Sequence, residues 1–113
     1  MAAKSAAVTM GSSSMEERAM AALNIGLLVF PQVQQLDLTG PYEVFASIPG
    51  AQVRLVWKSL EPITSATGLM LIPDTLLKTC PPLDVVCVPG GVGVNALMED
   101  AEVLAFLLSL IHI

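Results

Sequence analysis

Few residues in this chain combine a reactive type with a suggestive place. Asp37, in the segment FPQVQQLDLTGP (residues 30–41), is the only carboxylate between Glu17 and Glu43. It follows an apolar run, so it belongs near the carboxyl end of a strand. Partial shielding from water there lets a carboxyl group give and take protons near neutral pH. An aspartate just ahead of a helix is also a common N-cap. For a helix over residues 39–47 both roles stay open.

The second feature is Pro89-Gly90-Gly91-Val92-Gly93, placed after one apolar run and before a helical stretch. Glycines at this density let backbone approach a ligand closely. Successive N–H groups with a helix dipole behind them suit an anion or an oxyanion. Gly90 and Gly91 are therefore candidate substrate-binding residues. The pattern is not GxGxxG and lacks the Lys and Ser/Thr of a phosphate-binding loop. A plain tight strand-to-helix turn explains it equally well.

Other reactive types are poorly placed. Cys87 lies inside an apolar run and reads as a small core hydrophobe. Cys80 precedes two prolines with nothing nearby to activate it. His112, the one histidine, stands beside the last residue, where a general base is poorly held. Neither a Ser-His-Asp nor a Cys-His unit can be assembled from these parts. The cysteines lack metal-ligand spacing, and no metal site is expected. Trp57 and Phe45 read as core or interface residues.

The elements that must position these residues follow from the pattern of apolar positions. NIGLLVF (24–30), ended by Pro31, suits a strand buried on both faces. Residues 32–37 read as a loop, and Pro41 suits the first turn of the helix at 39–47. QVRLVWK (52–58) alternates, with Val53, Leu55 and Trp57 on one side and Arg54 and Lys58 on a wetter one. Residues 61–73 suggest a hairpin around Thr67-Gly68, and 75–82 a turn region with about one helical turn. LDVVCV (83–88) is a second doubly buried strand. Residues 95–99 and 100–110 read as helical, with Asp100 as N-cap and Glu102 favoured in the first turn. This is an α/β order, and two doubly buried strands call for helices on both faces of the sheet. A ligand site is then expected at the carboxyl ends of the strands, where both informative loops lie.

Composition bounds the function. The chain has 113 residues, 5 basic and 10 acidic, for a net charge of -5. Arg54, Lys58 and Lys78 are scattered and form no basic patch, so no nucleic-acid surface is expected. Hydrophobic residues make up 54% and charged residues 13%, more apolar surface than so short a domain hides easily. A buried partner surface, or a missing remainder of the domain, is expected. No apolar run approaches the roughly 20 residues of a membrane span. Two cysteines fit a reducing, cytoplasmic compartment. Residues 1–23, rich in Ala, Ser and Met, read as a disordered N-terminal extension without the features of a secretory signal.

FPxVQQLDLTGP, PPLDVVCVPGG and GVNALMED together resemble the ThiJ/PfpI superfamily, relatives of class I glutamine amidotransferases, and within it the isonitrile hydratase branch. The likeness spans about residues 24–106, roughly half of a complete family domain, and marks 24–107 as an N-terminal half-domain. It implies a flavodoxin-like, doubly wound α/β sandwich with a mostly parallel sheet, truncated here and dimeric when complete. It further implies a carbon–nitrogen hydro-lyase that adds water to a small apolar isonitrile to give an N-substituted formamide. No metal or organic cofactor is implied. Asp37 matches the proton-handling carboxylate, and Pro89-Gly90-Gly91 the loop over the site. The family's nucleophilic cysteine lies on a later strand, and neither Cys80 nor Cys87 takes its place, so the segment is expected to be inactive alone. Residues 108–113 depart from the family and are expected to be a non-native tail. A ligand-sensing domain of a transcription regulator is the alternative. A chaperone-like or deglycase-type relative fits less well, since that branch more often carries Glu where this chain has Asp37.

Overall fold

The two apolar runs of the sequence become the two strands that organise the molecule. LNIGLL forms β2 (Leu23–Leu28) and VVCV forms β7 (Val85–Val88). Between them come α1 (Gln35–Ala46), β3 (Ala51–Trp57), the short strands β4 (Ile63–Thr64), β5 (Met70–Leu71) and β6 (Thr75–Leu76), and a 3-10 turn at Leu77–Thr79. After β7 follow α2 (Val94–Leu97) and α3 (Ala101–Leu108), and ahead of β2 lies β1 (Ala7–Met10). The computed structural model describes residues 7–10 and 23–110.

One sheet runs β1-β7-β2-β3-β6, and β4 and β5 form a separate antiparallel hairpin, as expected around Thr67-Gly68. β2 pairs in parallel with β3 from Leu23↔Ala51 to Leu28↔Val56, and with β7 from Ile25↔Val85 to Leu27↔Cys87. β6 continues the parallel set beside β3. The chain therefore winds from β2 outward to β3 and β6, then returns to place β7 on the other side of β2. Winding reverses between β2 and β7. In sheets of this kind the crevice outside the carboxyl ends at that reversal is where ligands bind.

Ile25, Leu27, Leu28 and Val29 are fully buried, and Phe30, Val33, Leu38, Val56, Cys87 and Val103 join them. Each large aliphatic side chain so buried contributes about 1.5–3 kcal/mol, so β2 and the residues after it are the mechanical centre. Two aspartates extend the pairing by one residue ahead of β6 and β7. Asp74 exchanges hydrogen bonds with Leu55, whose N–H donates to Oδ1 at 2.9 Å. Asp84 does the same with Asn24, whose N–H donates to Oδ2 at 2.8 Å. Asp100 caps α3 as expected, accepting from the N–H groups of Glu102 at 3.1 Å and Val103 at 3.2 Å.

Three expectations are corrected. The first helix starts at Gln35, not 39, and Pro41 lies in its interior rather than its first turn. Within its first turns the Thr39 hydroxyl donates back to the Gln35 carbonyl at 3.2 Å, as a threonine inside a helix commonly does. β3 has no clean wet face. Val56, on the side assigned to Arg54 and Lys58, is its most buried residue, while Val53, Leu55 and Trp57 are only half-buried. α1 packs against β3, and on the side read as wet Gln52 and Lys58 are exposed while Arg54 and Val56 between them are not. Finally, residues 7–10, read as part of a disordered extension, pair antiparallel with β7. The rest of residues 1–22 and residues 111–113, with His112, lie outside the described residues. Among the described residues no helix is long and apolar enough to cross a membrane.

Candidate functional site

The site forms where the winding reverses, from the loops that leave β2 and β7. After β2 the chain stays buried through Val29 and Phe30, then turns at Pro31-Gln32. Gln32 has φ of 66°, the one described non-glycine residue with positive φ. Such a conformation costs about 1 kcal/mol or more and persists where neighbours over-determine it. Here they do: the Gln32 N–H donates to the Thr64 carbonyl at 2.9 Å, and its carbonyl accepts from the Gly93 N–H at 3.3 Å. The next residues repeat the pattern. Gln34 N–H donates to the Gly90 carbonyl at 2.9 Å, and the Val33 carbonyl accepts from Ala66 N–H at 3.0 Å.

Residues 31–34 are thus stitched to the glycine loop on one side and to the β4–β5 hairpin on the other. The glycines let this happen. A Cβ on Gly91 would lie 2.5 Å from the Gln34 nitrogen and 2.8 Å from the Gln32 oxygen, and its φ of 128° disfavours any side chain. A Cβ on Gly93 would meet the Pro31 carbonyl and the Phe30 ring. Close backbone approach is the reason for glycine at 91 and 93, and the approaching backbone is the protein's own. Gly90 is buried and its carbonyl is taken by Gln34.

Asp37 stands in the first turn of α1, 2% exposed, with its N–H donating to the Gln34 carbonyl at 3.0 Å. It is not the N-cap. Gln34 holds that position and makes no side-chain capping bond. A carboxylate in the first turn is favoured by the helix dipole, and this one is also inside the protein. Asp37, Gly90 and Gly91 are therefore brought together, linked through Gln34.

The cysteines behave as core residues. Cys87 is fully buried, and its thiol is pushed up to about 11, first by burial and second by the charge of Asp37. Burial also raises the half-buried Cys80, against the opposing pull of Arg54. Neither is a thiolate at neutral pH. Trp57 packs at the edge of the core, 6.5 Å from Phe30 between ring centres. Lys58 Nζ lies 5.7 Å from the Trp57 ring centre and pairs with Asp100, tying the end of β3 to the start of α3. Among the described residues no group of three or more His, Cys, Asp or Glu could hold a metal ion.

The hairpin around Thr67-Gly68 also walls the site, a role that no motif in its sequence signals. Ser65 is 1% exposed and its Oγ accepts from the Leu69 N–H at 3.0 Å, which fixes the turn that presents Thr64 and Ala66 to residues 32 and 33. Nothing in that stretch signals its partner, because every contact is made by backbone. A separate groove of about 350 Å³, lined by Leu77, Cys80, Pro81, Leu83, Phe106 and Leu110 among others, includes neither Asp37 nor the glycine loop.

The chain is similar in sequence and fold to known proteins. The DJ-1/PfpI family model matches residues 24–111. A protein from Pseudomonas putida described as isonitrile hydratase is 65% identical over 88 residues, covering 78% of this chain and 39% of that protein. The chain thus spans well under half the length of that curated relative. The crystal structure of a ThiJ/PfpI family protein from Pseudomonas syringae matches with a TM-score of 0.70 and 35% identity, over 88% of this chain and 43% of the other. A DJ-1 superfamily protein from Agrobacterium tumefaciens, 20% identical with a TM-score of 0.61 over 75% of this chain and 46% of its own, shares the fold.

Proposed function

The chain belongs to the DJ-1/PfpI family, and from that premise we propose that it forms the N-terminal part of an isonitrile hydratase-like hydro-lyase. The observation that carries the reading is the buried carboxyl group of Asp37 beside the Gly90 loop, at the reversal of winding, within the stretch 65% identical to an isonitrile hydratase.

Hydration of R–N≡C places the oxygen and one hydrogen of water on carbon and the other hydrogen on nitrogen, giving R–NH–CHO. The reaction needs a nucleophile at carbon and a group that moves protons. Asp37 is the proton-handling group: it is held dry by α1 and fixed in place by its first helical turn. An uncharged, apolar substrate asks for such a pocket rather than for a charged clamp. Gly90 and Gly91 line the substrate's side of the loop with backbone. The covalent step is left to a cysteine supplied by a later strand of a longer, dimeric protein. Cys87, whose thiol sits near 11 inside β7, does not serve.

The test compares two proteins. The 113-residue chain mixed with cyclohexyl isonitrile is expected to form no formamide above the buffer rate by carbon-13 NMR. A protein carrying this segment at the length of its relatives is expected to form it, and Asp37→Asn in that protein to abolish turnover while circular dichroism stays native. Undiminished turnover in that variant overturns the role of Asp37.

A further inference from the structure

β7 is held on both sides by partners of different kinds. β2 pairs with it in parallel, as the winding of the sheet requires. β1 pairs with it antiparallel, from Ala7↔Val88 to Met10↔Val85, and among the described residues with no other strand. β7 leads into α2 and α3, and a right-handed crossover through helices returns a following strand to the same sheet, parallel to the one it left. With β2 on the inner side, the adjacent position for such a strand is the outer edge of β7. β1 sits in that position.

We propose that Ala7–Met10 is an exchangeable edge cap: an intrachain strand that occupies the strand-accepting edge of β7 and excludes a parallel strand from the same place. The edge needs cover. Val85, Val86 and Cys87 are buried, and an open ladder on an apolar, β-branched strand templates pairing with other chains. The cap is also chemically distinct from the strand it excludes. A parallel neighbour brings its carboxyl end, and the turn that follows, to the side where β7 runs into Gly90. Antiparallel β1 brings its amino end there, with Ala7 opposite Val88. The inference rests on pairing and topology alone and stands apart from the hydratase reading.

Amide hydrogen exchange on the complete 113-residue chain tests it, using Val8→Pro and Thr9→Pro. Successive N–H groups of β1 point alternately toward β7 and away, and proline is tolerated only where the N–H faces outward. In at least one of the two variants, alternate amides of Val85–Val88 are expected to exchange at least tenfold faster, while amides of β2 facing β3 keep their protection. A synthetic peptide of residues 5–12 (SAAVTMGS), added in excess, is expected to restore slow exchange. Wild-type exchange in both variants shows that β1 does not hold the edge and overturns the proposal. Loss spread evenly over β2, β3 and β7 makes β1 part of the core and overturns it too, as does failure of the peptide to restore protection.

Discussion

The carboxylate of Asp37 lies close enough to the thiol of Cys87 for its charge to add to burial in holding the thiol proton. The carboxylate that the proposed chemistry would use and a thiol that it would not are therefore coupled, and the second reports on the first. In a Cys80→Ser background, Cys87 is the only thiol, and its ionisation can be followed by ultraviolet thiolate absorbance. It is expected to titrate at about 11. Asp37→Asn removes the smaller of the two causes, so the value is expected to fall but to stay above the ordinary 9.0. No change on Asp37→Asn would separate the two residues and weaken the placement of the carboxylate.

The same shift sets a pH dependence of stability. Below the ordinary value of 9.0 both folded and unfolded chains keep the Cys87 proton, and the contribution is whole. As pH rises past it, the unfolded chain releases its proton while the folded one keeps it until about 11. Stability is lost across that window, by at most roughly 2–3 kcal/mol. Urea denaturation at about pH 8 and about pH 10.5 is expected to show a larger alkaline loss for wild type than for Cys87→Ala, by roughly 1–2 kcal/mol. Equal losses would show that another group governs the alkaline limb.

Two glycines of contrasting setting test the stitched loops. An alanine at Gly91 takes a φ of 128° and puts its Cβ against backbone atoms of Gln34 and Gln32, which cannot rotate away. Gly91→Ala is expected to cost more than about 2 kcal/mol. Gly40 lies inside α1, and apart from its chain neighbours no heavy atom comes within 4 Å of a built Cβ. Gly40→Ala is expected to change stability by less than about 1 kcal/mol, because the helical gain over glycine is offset by the crowding of the new Cβ against the ring of Pro41. Urea midpoints decide both, and a neutral Gly91→Ala would mean that the loop after β7 does not press on residues 32–34 in solution.

These contrasts also mark what could be read from sequence. β2 and β7 were legible because burial on both faces leaves a continuous apolar run, and Asp100 because a capping aspartate acts through its own neighbours. The start of α1 was not. Thr39-Gly40-Pro41 has the local chemistry of a helix entrance, yet the helix begins at Gln35, where the preceding backbone is fixed by the long-range bond from Gln34 to Gly90. Asp37 was found as a residue of interest, but its place within the first turn depends on that tertiary bond. β1 carries no strand pattern in its four residues, and only the edge of β7 makes it one. In β3 the alternation was right only at its ends: Gln52 and Lys58 are exposed on the side read as wet, yet Val56 on that same side is the most buried residue of the strand. The glycine loop was legible as a place of close approach, while the identity of what approaches is a tertiary fact.

The last prediction concerns the clasp between β3 and α3. Asp100 is held below the ordinary carboxylate value, first by its hydrogen bond to Lys58 and then by the backbone N–H of Val103. A carboxylate so lowered contributes stability above its unfolded value, and that contribution is lost as pH falls through the folded one. Lys58→Met removes the leading cause and leaves the cap, so the Asp100 carboxyl is expected to titrate higher by NMR, still below its ordinary value. Asp100→Asn keeps an oxygen for Glu102 and Val103 but loses the ion pair, and is expected to abolish the salt dependence of stability that this pair contributes. If Asp100 titrates alike with and without Lys58, the ion pair is absent in solution, and α3 is anchored by its cap and by the packing of Val103, Phe106 and Leu107 on the core.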